Sequence, residues 1–158
     1  MKQNSTVKEQ SLHPQPNART QSAADSGDLG SELDERLIAA LHAASEKKAI
    51  EPVVLDLREI ASFTDYFVIV SGANERQVQA ISDEVYETLK KSGETAARVE
   101  GYKTAEWILL DFGDFVVHVF EQKARKFYDL ERLWRESKRV PLPAELTGDG
   151  SSSLRKDS

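Results

Sequence analysis

The sequence predicts an α/β (α+β) fold: a mixed β-sheet of about five strands with helices packed on it. Three observations carry this expectation. Leu33, Leu37, Ala40, Leu41 and Ala44 recur at helical spacing. Tyr66 to Val70 is a nearly continuous apolar run, short and β-rich, as in a strand buried on both faces. WILLD and FVVHVF alternate in strand fashion on either side of Phe112-Gly113, which reads as a hairpin turn.

The elements follow in order. Residues 1–30 are polar and rich in Pro, Ser and Gln, without periodicity, and read as a disordered tail. Ser31 suits the N-cap of the first helix. Pro52 stops further helix, and VVLDL (Val53–Leu57) reads as a strand. TDYFVIVSG supplies the central strand. Asn74 with Gln77 three residues later resembles a capping box, and Val78, Ile81, Val85 and Leu89 form the stripe of the next helix. Lys90 and Lys91 suit the negative end of its dipole, and Gly93 suits its terminus. ARVEGY reads as a short edge strand before the hairpin. Ala124, Phe127, Leu130, Leu133 and Trp134 would give a final helix its apolar side. The folded domain is expected over residues 31–139 and a second disordered tail over 140–158.

Composition excludes several functions. The net charge of −6 over 158 residues argues against a general nucleic-acid coat, which needs a broad basic field. The chain has no cysteine, hence no disulfide, thiolate zinc site or cysteine nucleophile. No apolar run approaches the roughly 20 residues that span a bilayer. Residues 1–30 lack the apolar stretch of a signal peptide and contain one arginine, Arg19, so a cytoplasmic location is expected.

The most suggestive stretch for chemistry is LLDFGDFVVHVF, Leu109–Phe120. Asp-Phe-Gly holds magnesium in protein kinases, but the rest of the kinase machinery is absent. With Phe112-Gly113 as a two-residue turn, Asp111 faces Asp114, Leu109 faces Val116, and Trp107 faces His118. Alternation then puts Ile108, Leu110, Phe115, Val117 and Val119 on a core face. Trp107, Leu109, Val116, His118 and Phe120 share the other. A four-residue loop would leave that division by parity unchanged. His118 reads most simply as a histidine packed on an indole. If no helix covers this second face, it is an exposed apolar patch of the kind that binds a partner. Asp56 and Asp65 read as strand-edge, cap or turn residues. Ser71-Gly72 precedes a helix N-terminus that could hold a phosphate, but one glycine makes a poor phosphate loop, and a plain strand-to-helix turn is the simpler reading. Glu121–Arg139 holds seven basic and four acidic residues, a net of +3, which suits a solvated helix or a ribonucleoprotein surface.

LDLREIASFTDYFVIVSGANERQVQAISDEV, VEG and EWILLDFGDFVVHVFEQKARKFYDLERLW together closely resemble the ribosomal silencing factor family (RsfS, also called Iojap). The resemblance covers about Leu33 to Trp134. It implies a nucleotidyltransferase-like fold without the catalytic residues, since no paired acids follow the Ser71-Gly72 turn. It implies binding to the large ribosomal subunit through that subunit's fourteenth protein. That would block joining of the small subunit and repress translation under nutrient limitation, without cofactor, metal or enzymatic step. The implied partner surface is Trp107, Leu109, Val116, His118, Lys126 and Tyr128, with Trp107 and Leu109 as anchors. Arg125 and Lys126 could reach acidic groups of the protein partner or nearby ribosomal RNA phosphate. Two alternatives stand beside this. One is a degenerate nucleotidyltransferase with magnesium on Asp56, Asp65, Asp111 or Asp114. The other is a homodimer through the same aromatic face.

Overall fold

A computed structural model describes residues 34–147. The expected tail over residues 1–30 and the N-cap at Ser31 lie outside the described residues, as does the tail from residue 148 onward. From Glu35 the elements run α1 (Glu35–Glu46), β1 (Ile50–Asp56), β2 (Tyr66–Gly72), α2 (Glu75–Lys91), β3 (Arg98–Glu100), β4 (Trp107–Asp111) and β5 (Phe115–Glu121). They continue with α3 (Gln122–Tyr128), α4 (Leu130–Leu133), β6 (Lys138–Arg139) and α5 (Ala144–Thr147). The strands make one mixed sheet in the order β3-β4-β5-β2-β1-β6. β2 and β5 pair in parallel and the other neighbours antiparallel. The parallel pair follows from α2, which carries the chain over to edge strand β3; two antiparallel reversals through β4 then lay β5 alongside β2 in the same direction. β2 is the strand buried on both faces, as its apolar run predicts.

Local chemistry sets the element ends. The N–H of Gln77 donates to Oδ1 of Asn74 at 2.9 Å, and the N–H of Ala73 donates to Oε1 of Gln77 at 2.6 Å. The box is therefore reciprocal, one residue wider than its usual form. At the other end of α2, the N–H of Gly93 donates to the carbonyl of Lys90 and that of Glu94 to the carbonyl of Leu89. Gly93 has φ +97°, which makes this a Schellman closure. Pro52 stands inside β1, where the register against β2 is broken between Ile50 and Val53. A proline is tolerated there because the bulge leaves a ladder position without its donor.

α1 and α2 pack together, and α2 lies on β2, β4 and β5. Their stripes close one face of the sheet over Val54, Val68, Val70, Ile108, Leu110, Val117 and Val119, all nearly inaccessible. The opposite face, with Leu55, Phe67, Ile69, Val116 and Phe120, is covered by Ala124, Leu130, Ala61 and Trp134.

The mixed sheet is the expected one and has six strands, because Lys138–Arg139 pairs with Leu55 and Asp56. Four expectations are corrected. The turn of the β4–β5 hairpin is Gly113-Asp114: the N–H of Phe112 donates to the carbonyl of Phe115, and Gly113 has φ +92°. The register moves by two residues, so Trp107 faces Phe120, Leu109 faces His118 and Asp111 faces Val116. The final helix is broken at Asp129, whose left-handed φ of 46° re-aims the chain between α3 and α4. Ordered packing continues past Arg139, since Val140 and Leu146 are buried and the Val140 N–H donates to Val54.

Candidate functional site

The residues singled out in the sequence gather on the second face of the sheet. The corrected register preserves the predicted membership, because a shift of two keeps every side chain on its side. Trp107 and Leu109 are half-buried there, whereas Val116 and His118 lie underneath, 6% and 3% exposed. Tyr128 arrives from α3, and its ring stands 4.9 Å from that of Trp107. Lys126 is exposed on the same helix. Val116 and His118 are thus placed deeper than a contact surface requires.

Rings continue across the face. Phe63 stands 6.0 Å from Trp134, Trp134 5.7 Å from Phe67, and Phe67 4.4 Å from His118. Trp107 then adjoins Phe120 at 4.8 Å, and Tyr128 adjoins Phe127 at 4.9 Å. The inner rings are buried, while Phe63, Phe127 and Leu133 are 59%, 78% and 70% exposed. These outer residues escaped the sequence reading, which put Phe127 and Leu133 on the buried side of an unbroken helix. The break at Asp129 interrupts the single stripe that would have grouped Phe127 and Leu133 with Ala124 and Leu130. Aspartate, a residue that tolerates the left-handed region, was the available signal.

The indole N–H of Trp107 donates to Nδ1 of His118 at 3.0 Å. Because indole is donor-only, the imidazole proton resides on Nε2. Nε2 has no hydrogen-bond partner among the described residues. Burial pushes the His118 pKa down to about 3, so the ring is neutral at ordinary pH.

Arg125 is placed inward, 7% exposed. Its guanidinium donates to both carboxylate oxygens of Glu131 and, at 2.8 Å, to the Ser71 hydroxyl. Arg125 foremost, against the opposing effect of burial, holds the Glu131 carboxyl below its ordinary range. An RNA contact expected of Arg125 would have to displace these bonds; Lys126 carries no such constraint.

The aspartates lie at one end of the sheet and are engaged within the fold. Asp111 accepts from the Gly113 N–H at 2.9 Å and from Arg98 at 3.4 Å, and Asp114 pairs with Arg36 at 3.1 Å. Asp56 takes two bonds from the Arg58 guanidinium, at 2.9 and 2.7 Å. Burial works to raise the Asp56 pKa, and Arg58 outweighs it, leaving the group below its usual value. Asp65 accepts the Leu57 N–H through its main-chain carbonyl. No three His, Asp or Glu side chains converge as a metal site among the described residues. The Ser71-Gly72 turn is at the far end of β2, roughly 20 Å away for a seven-residue strand. Its serine is held by Arg125, and beside it the Gln77 N–H is taken by Asn74 and the Ala73 N–H by Gln77. Among the described residues no helix is long and apolar enough to cross a membrane.

Comparison with known proteins gives a family and a matching fold. A family model described as ribosomal silencing factor during starvation (RsfS) matches residues 31–157. The ribosomal silencing factor RsfS of Halalkalibacterium halodurans is 42% identical over 113 residues, 72% of this chain and 97% of that protein. The chloroplastic protein Iojap of Zea mays is 35% identical over 67% of this chain and 46% of its own length. A mouse protein named for mitochondrial assembly of the ribosomal large subunit is 30% identical over 77% of this chain and 56% of its own length. A crystal structure from Bacillus halodurans superposes with a TM-score of 0.62 at 42% identity, over 68% of this chain and 98% of that one.

Proposed function

Because the chain belongs to the ribosomal silencing factor family, we propose that it binds the large ribosomal subunit through that subunit's fourteenth protein. Bound there, it blocks joining of the small subunit and represses translation when nutrients are scarce. The supporting observation is the aromatic face. Trp107, Leu109 and Tyr128 occupy its centre and Phe127 and Leu133 its exposed edge, where apolar side chains gain most from being covered. Val116 and His118 act from beneath this surface. Lys126 stands at the rim and suits a ribosomal RNA phosphate.

The mechanism is occlusion: binding energy alone excludes the small subunit, and no bond is made or broken. It calls for neither cofactor nor metal. The internal engagement of Ser71 and the aspartates, at opposite ends of β2, supports this over a nucleotidyltransferase reading. The relatives include one named for assembly of a ribosomal large subunit, which supports the same partner here. On this reading the working unit is the domain from residue 31, acting as a monomer or weak homodimer in the cytoplasm.

The deciding experiment is sedimentation through a sucrose gradient. Added protein is expected to travel with isolated large subunits and to prevent their joining with small ones. Large subunits that sediment free of the protein would sink the proposal. A mass that rises with concentration, and falls when Trp107 is replaced, would favour the homodimer instead.

A further inference from the structure

His118 has an arrangement that burial alone does not account for. Trp107 and His118 are diagonal neighbours on one face, since Trp107 pairs with Phe120 and Leu109 with His118. Large side chains span such a diagonal. The Trp107 ring adjoins those of Phe120 and Tyr128, at 4.8 and 4.9 Å between centroids and tilted to both. Those contacts favour burial but set no single direction, because dispersion between rings tolerates sliding and tilting. The bond from the indole Nε1–H to Nδ1 of His118 is directional.

The imidazole is itself clamped. Phe67 stands 4.4 Å away at an interplanar angle of 72°, and Phe120 lies nearly parallel at 6.3 Å. Its other nitrogen, Nε2, is a buried donor without a partner among the described residues, which costs folding free energy. An apolar side chain of similar size would avoid that cost. What imidazole adds at this place is one fixed acceptor facing the indole.

We propose that His118 is the positioning residue of the partner surface: from below, it holds the Trp107 indole in one orientation before the partner arrives and makes no contact with the partner itself. The gain is pre-organisation, since an anchor already fixed loses less freedom on binding. This rests on the reading of the Trp107 face as the ribosomal contact.

The test compares His118→Phe, which keeps a ring without the acceptor, with His118→Asn, whose amide oxygen falls near the place of Nδ1. Each is made in the native chain and in Trp107→Phe. Two quantities are read: the indole N–H resonance of Trp107 in the free protein, and affinity for isolated large subunits. His118→Phe is expected to move the resonance upfield and weaken binding about tenfold. His118→Asn is expected to recover most of both. In the Trp107→Phe background His118→Phe should add nothing, because its effect passes through the indole. A folded His118→Phe protein that binds like the native chain, or an equal loss without the indole, would overturn the proposal. Should His118→Phe not fold, the imidazole nitrogen resonances of the native protein decide. A proton on Nε2 is expected, and one on Nδ1 refutes the arrangement. If Trp107→Ala binds normally, the surface reading fails and the proposal with it; failure of the proposal alone leaves that variant weak.

Discussion

Arg125 and Glu131 close the bend between α3 and α4: Nε donates to Oε1 at 3.2 Å and Nη2 to Oε2 at 3.0 Å. The same guanidinium donates to Ser71 at the end of β2 and to the Ile50 carbonyl of β1. One planar side chain therefore ties the broken helix to two strands, and with it the placement of Tyr128 and Leu133. Arg125→Met is expected to lower stability by about 2–4 kcal/mol, because it leaves Glu131 and the Ser71 hydroxyl without their donor. Arg125→Lys should recover little, since ammonium cannot fork to both oxygens. Urea denaturation of the three proteins checks this; full stability in Arg125→Lys would mean that charge alone suffices.

Trp107→Ala is expected to keep the fold and to weaken large-subunit binding by about 2 kcal/mol or more, as central aromatic anchors do. Circular dichroism and co-sedimentation separate the two effects. A folded variant with native binding removes Trp107 from the contact.

Phe127→Ser and Leu133→Ser touch side chains that are already mostly in water. Stability should stay within about 0.5 kcal/mol of the native chain. Binding should fall for both, because their apolar surface contributes only once covered. Native affinity in both variants would confine the contact to the sheet.

His118 also makes stability depend on pH. Its folded pKa is about 3, against 6.5 for the free group. Between those values the unfolded chain takes up the proton more readily. Stability is therefore full above pH 6.5 and falls as pH drops toward 3, by up to about 1.4 kcal/mol per unit. Asp56 and Glu131, both held below their ordinary values, give stability that is present above the unfolded carboxylate range and lost as pH falls below it. The fall between pH 6.5 and 5 is thus assigned to His118. Denaturation midpoints that still fall over that window in His118→Asn would contradict the assignment.

Gly101 has φ +81°, and a Cβ there would lie 2.1 Å from the Trp107 carbonyl oxygen. Gly101→Ala is expected to destabilise by roughly 2 kcal/mol or more, through positive-φ strain and the clash with backbone. It should also shift the Trp107 indole resonance, since the start of β4 must move. An unshifted resonance in a stable variant would show that the β3–β4 connection yields without disturbing the face.

Much of this was legible in the sequence because it depends on near neighbours. The alternation in WILLD and FVVHVF put Trp107, Leu109, Val116, His118 and Phe120 on one face, and the two-residue error in register left that intact. Asn74, Gln77 and Gly93 marked the ends of α2 through bonds that reach at most five residues. The helix break was harder. Ala124, Phe127, Leu130 and Trp134 satisfy a single helical stripe, and only the left-handed turn at Asp129 separates them.

Sequence alone therefore determined which side chains share a face, because alternation and capping are local rules of backbone geometry. Tertiary structure decided how deep each lies. His118 and Trp107 share a face, yet Phe67, brought from β2, closes over the one while the other stays half open. Arg125 and Lys126 are adjacent and equally basic, yet one is drawn inward by Glu131 and Ser71 and the other stays in water. Depth is set by segments that meet only in the folded chain, and no period in the sequence encodes it.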